Sequence, residues 1–114
     1  MECFAKLPIQ KREIYKTYLL EMEVNNCGFS QFYSNRGYEL AEDIPQFMEI
    51  IGAQKHGEIV KGANNYFITS KIDSLEENLL DKFDERFYLE SNMNNMLKLQ
   101  MNYIKKNLIY FEIK

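Results

Sequence analysis

The chain has 114 residues, of which 46% are hydrophobic and 27% charged, with a formal net charge of −3. That length predicts a single domain over residues 1–114 with one core and no need of disulfides or metal, and the apolar content excludes an intrinsically disordered chain. No apolar run reaches the roughly 18 residues needed to span a bilayer, and Met1 to Lys6 lack the basic start and apolar stretch of a signal peptide, so the expected location is the cytoplasm with no membrane attachment. Cys3 and Cys27 are read as free thiols, the usual state in an intracellular chain.

Periodicity predicts helices almost throughout. Pro8 suits the first turn of a helix, where its missing N–H costs nothing, and Ile14, Tyr15, Tyr18, Leu19 and Met22 then recur at helical spacing, giving a first helix from about Pro8 to about Asn25. Asn26, Cys27 and Gly28 close it, because Asn and Gly tolerate the left-handed backbone of a helix end. Phe29, Phe32 and Tyr33 follow at i, i+3, i+4 and predict a short second helix with all three rings in the core. Residues 34–38 are read as a loop.

Ile44, Phe47, Met48 and Ile51 form the next stripe, with Pro45 in its first turn and Gly52 as its stop. His56, Ile59, Val60, Ala63 and Phe67 make another, in which Gly57 and Gly62 either permit close packing or shorten the helix. Ser74-Leu75-Glu76-Glu77 has the arrangement of a capping box ahead of a helix whose buried side is Leu75, Leu79, Leu80, Phe83 and Phe87. A last helix from about Asn92 is expected to carry Met93, Leu97, Met101, Ile104 and Leu108 inward, fraying into an extended tail. The fold class is therefore all-α, a compact single-domain bundle of about five to six helices.

The run Glu23-Val24-Asn25-Asn26-Cys27-Gly28-Phe29-Ser30-Gln31-Phe32 is the most distinctive stretch. Its amides are read as caps for backbone left open at the break, and Glu23 is expected to accept from the N–H groups that open the second helix. Together with Ile51-Gly52-Ala53, Leu80-Asp81-Lys82-Phe83-Asp84-Glu85-Arg86-Phe87-Tyr88 and Tyr103-Ile104, this run resembles a family of small bacterial proteins of unknown function, over roughly residues 8 to 111. The best-understood type in that family is a DNA-mimic protein. The resemblance implies an all-helical domain with Glu23, Asn25, Asn26, Gly28, Phe29, Gln31 and Phe32 as its structural motif. For the mimic branch it further implies a homodimer whose acidic surface occupies the DNA-binding face of a helix-turn-helix repressor.

Phosphate imitation demands local acidity, since the whole chain carries only −3. Residues 73–90 supply it, with Asp73, Glu76, Glu77, Asp81, Asp84, Glu85 and Glu90 against Lys82 and Arg86. Within this segment Asp73, Glu77, Asp81, Asp84 and Glu85 fall on one helical arc opposite the Leu/Phe stripe, and carboxylates four residues apart rise about 6 Å. These five are the candidate partner-binding residues. Glu21, Glu23, Glu39, Glu42, Asp43 and Glu49 add to the acidic side, while Lys6, Lys11, Arg12 and Lys16 gather near the start and Lys98, Lys105, Lys106 and Lys114 near the end. The alternative is a merely solvated acidic face.

Catalytic patterns are sparse. His56 is the single histidine, without a second ligand at metal spacing, and no Gly-rich phosphate loop is present. No metal, cofactor or direct nucleic-acid contact is expected. The reading is a non-enzymatic interaction module that meets a basic protein partner, a DNA-binding regulator first. An immunity-type protein covering a basic toxin is the rival, and a thiol enzyme built on Cys27 is the alternative from a different class.

Overall fold

The computed structural model describes residues 8–69 and 77–111. Among these residues every regular element is helical, and together they make one all-α domain. α1 spans Ile9–Arg36 but is two helices joined at Gly28, whose φ of 89° and ψ of 175° break the ladder. Ile14, Leu20 and Val24 bury the first half, and Phe29, Phe32 and Tyr33 bury the second. The sequence stripe misses part of this face: Tyr15 and Met22 are exposed, while the polar Thr17, Lys16 and Glu13 point inward. Apolar residues lie all round this helix, so their identity does not fix its direction; partners for the buried polar groups do. Thr17 Oγ1 donates to the Ile14 carbonyl at 2.6 Å and accepts from Gln100 Nε2 at 3.1 Å.

Residues 34–38 are not a loop. Ser34 to Arg36 complete the helix, Gly37 alone turns the chain with φ 85°, and Tyr38 opens α2, Tyr38–Ala41. α3, Ile44–Ile50, carries Pro45 in its first turn and buries Ile44, Phe47 and Met48, with Ile51 just beyond its end. Gly52, at φ 94°, ends it as the sequence predicts, and the Ala53 N–H closes back on the Met48 carbonyl at 2.7 Å. α4, Gln54–Thr69, buries His56, Ile59, Val60 and Ala63. Its two glycines are close-packing sites. A Cβ at Gly57 would lie 2.9 Å from the Pro45 carbonyl oxygen, and one at Gly62 would lie 2.7 Å from a Phe83 ring carbon. α4 thus rests against α3 on one side and α5 on the other.

α5, Glu77–Met93, buries Leu80 and Phe87, with Phe83 half-buried beneath the guanidinium of Arg86. Ser74 and Leu75, assigned by sequence to its cap and stripe, lie outside the described residues. Asn95 starts α6, Met96–Lys106, by accepting the Leu97 N–H at 2.9 Å. The inward face of α6 corrects the sequence reading. Met96 and Gln100 are buried and Leu99, Tyr103 and Ile104 half-buried, whereas Met93, Leu97, Met101 and Leu108 are exposed. A single 3₁₀ turn, Leu108–Tyr110, follows. α5 and α6 together run antiparallel to α1: Asp84 meets Phe29, Tyr88 meets Val24, and Gln100 meets Thr17.

Candidate interaction surface

The Asn-Asn-Cys-Gly break is held by α5. A helix start leaves backbone N–H groups without partners and a helix end leaves carbonyls without them. At Gly28 both ends occur within a few residues. Asp84 Oδ1 accepts the Phe29 N–H at 2.7 Å, placing a carboxylate at the start of the second half, where the helix dipole favours it. One turn further along α5, the Tyr88 hydroxyl lies within hydrogen-bond distance of two carbonyls, Val24 at 2.9 Å and Asn25 at 3.1 Å, and donates to that pair. Phe87, between them in sequence, packs edge-on against Phe29 with centroids 5.7 Å apart.

This arrangement corrects two sequence assignments. Glu23 does not cap the second half of α1. Its carboxylate takes Arg36 Nε at 2.9 Å and Asn35 Nδ2 at 3.2 Å, bridging the two halves across the break, while Gln31 donates to Asn35 Oδ1 at 2.9 Å. Asp84 does the capping, and so leaves the exposed acidic arc. Burial raises its carboxyl above the usual range, the Phe29 N–H lowers it in part, and Asp81 raises it again. The side chains of Asn25 and Asn26 are exposed beside the break.

Of the other arc residues, Asp81 and Glu85 are exposed on α5. Glu77 opens that helix, and Asp73 lies outside the described residues. The structure brings together a different acidic set. Glu42, Asp43, Glu49 and Glu58 line a groove of about 560 Å³ between the α2–α3 segment and α4, with Tyr38, Gln46, Asn64 and Asn65 on its walls and Lys61 as the cation among its lining residues. The groove has a firm floor. Asn64 accepts the Tyr33 hydroxyl at 2.6 Å and donates to the Ala41 carbonyl at 2.9 Å, and Tyr33 stacks on Phe67 at 4.3 Å. Glu42, Asp43 and Glu49 stand in the acidic count of the sequence. Glu58 joins them only through the packing of α4 on α3, which no spacing in the chain encodes.

Lys16 is not part of a basic surface. It is buried with its ammonium 2.9 Å from Glu13 and 3.0 Å from Asp43; burial lowers its pKa, and the two carboxylates more than reverse that, leaving it raised. Lys98, Lys105 and Lys106 are exposed on α6.

His56 is buried at the α4–α5 seam, its Nε2 3.2 Å from Ser91 Oγ and its ring edge-on to Phe87. Burial lowers its pKa, partly offset by Glu90. Cys27 is a free, exposed thiol, and the helix start that follows it already holds the Asp84 carboxylate. Among the described residues no group of three or more His, Cys, Asp or Glu side chains is placed to hold a metal ion, and no helix is long and apolar enough to cross a membrane.

No curated protein and no solved structure matches the chain. The family model described as DMP19-like protein matches residues 5–107, a span that includes the Gly28 break, the α5 residues that hold it and the acidic groove. The chain belongs to the DMP19-like protein family.

Proposed function

We propose that this protein is a non-enzymatic interaction module whose acidic groove receives a cationic segment of a protein partner, with the DNA-binding face of a helix-turn-helix regulator as the leading candidate. The observation that carries this reading is the convergence of Glu42, Asp43, Glu49 and Glu58 in one groove with Lys61 as the sole cation among its lining residues. Family membership supports an interaction role of the DNA-mimic kind. A surface built to grip phosphates through Lys and Arg responds to carboxylates through the same donors. Asp81 and Glu85 stand outside the groove lining and add negative potential that steers a basic partner during approach.

The test begins with a pull-down from the cell of origin and identification of the captured protein. Its affinity is then measured for wild type and for Glu42→Lys/Glu49→Lys/Glu58→Lys. A helix-turn-helix regulator that loses its operator to the wild-type protein, and binds the triple variant at least tenfold more weakly at low salt, supports the proposal. Equal affinity for both proteins overturns the groove. Capture of a basic nuclease in place of a regulator favours an immunity role for the same surface.

A further inference from the structure

The acidic groove does not end at α3. Across that helix lies a second cavity of about 280 Å³, with an apolar wall made by Ile9, Phe47, Ile50 and Tyr103. Asp43 and Gln46 line both spaces, so the start of α3 is the wall they share. Phe47 is almost fully covered and stands edge-on to Tyr103 with ring centroids 5.0 Å apart, which makes a firm floor. Ile9 and Ile50, 57% and 65% accessible, form the rim. Single exposed isoleucines are ordinary, but two at the mouth of one cavity with an aromatic floor make an anchor point for a large apolar side chain. The volume lies just under the roughly 300–1,000 Å³ of small-molecule sites and suits a side chain better than a whole ligand.

Charge divides the two spaces. The carboxylates that line the cavity, Glu13 and Asp43, are both held by the Lys16 ammonium, at 2.9 Å and 3.0 Å. In the groove, Glu42, Glu49 and Glu58 are exposed, and none of them forms an ion pair among the described residues. A cation therefore gains most in the groove, and an apolar group gains most in the cavity. We infer that the partner segment is amphipathic: its Arg or Lys side chains occupy the groove, and a leucine-sized apolar side chain beside them is lodged between Ile9, Phe47, Ile50 and Tyr103. This inference rests on the groove reading above and narrows the partner that reading allows. Exposed carboxylates attract any surface built to hold phosphates, whereas a phosphate backbone offers nothing that resembles the cavity. The cavity thus selects, among basic surfaces, those with an apolar neighbour.

The experiment is calorimetric titration of the full chain with a synthetic peptide of six arginines and with the same peptide extended by one leucine at either end. One of the leucine peptides is expected to bind wild type at least about fivefold more tightly than hexa-arginine. That ratio should hold between about 20 mM and 200 mM salt while both affinities fall, because burial of the leucine is not screened. Ile9→Ser/Ile50→Ser leaves the charge unchanged and alters two exposed positions, so it should fold, bind hexa-arginine as wild type does and lose the leucine advantage. An advantage below fivefold at both ends overturns the inference, and one that survives the double variant places the anchor on another face and overturns it too. A wild-type dimer that the double variant abolishes in sedimentation overturns it in favour of a second copy in the cavity. Failure of the groove reading is distinct: hexa-arginine then binds wild type and Glu42→Lys/Glu49→Lys/Glu58→Lys alike, or binds neither, and the inference falls with it.

Discussion

Asp84 and Phe29 lie 55 residues apart in sequence, yet the carboxylate of one accepts the backbone N–H of the other at 2.7 Å. The contact makes α5 a structural part of α1. Replacing Asp84 with Ala should cost about 1–2 kcal/mol, the usual value of a helix cap, and Asp84→Asn a smaller amount, measured by urea denaturation. The pH dependence has a defined sign. Burial raises the carboxyl in the folded state, so its contribution is present below the unfolded pKa, near 3.9, and is lost as pH rises through the higher folded value. The stability of wild type relative to Asp84→Asn should therefore fall between about pH 3 and pH 6. A difference that grows with pH would show that the Phe29 N–H and the helix dipole outweigh burial at this carboxyl.

Gly57 tests close packing. In an exposed helix interior, Gly→Ala normally stabilises by up to about 1 kcal/mol. Here the new methyl would sit 2.9 Å from the Pro45 carbonyl oxygen, a backbone atom that cannot swing away. Gly57→Ala is expected to destabilise by about 1–3 kcal/mol, seen as a lower urea midpoint with an unchanged slope. A raised midpoint would show that α3 yields easily.

Lys16 sits between Glu13 and Asp43 inside the domain. Lys16→Met keeps most of the packing but leaves Glu13, 8% exposed, without its cation. The loss should be about 3 kcal/mol. Lys16→Met/Glu13→Leu should recover most of it, since removing both charges relieves the desolvation cost. Thermal melts at neutral pH decide this.

His56 provides an acid-sensitive element. Its folded pKa is depressed by burial, so the neutral ring contributes stability above the unfolded pKa, near 6.5, and this is lost as pH falls towards the folded value. Wild type should weaken between about pH 7 and pH 5, and His56→Gln should show a shallower slope over that window. Identical slopes would count against a buried neutral imidazole.

Much of the fold is legible in the sequence, and the reasons are local. Ile44, Phe47, Met48 and Ile51, closed by Gly52, obey helical periodicity because α3 has one apolar side, and the Gly28 break is announced by residues that tolerate unusual backbone. The α6 face departs from its periodicity for an equally physical reason. Gln100 is fully buried because Thr17 accepts from its amide, and no periodicity argument places a glutamine inward. The acidic arc failed in the same way at Asp84, whose role depends on a backbone N–H in another helix. Glu58 joined the candidate groove only through tertiary packing.

The Gly28 break also bears on how this chain can vary. A side chain at position 28 would collide with the Asp84 carboxylate, and the backbone there already favours glycine. Relatives that introduce a bulkier residue at the first position should be those that have shortened or removed the acid at the second. The two sites then behave as one inherited trait, and an alignment of the family would find them changing in step.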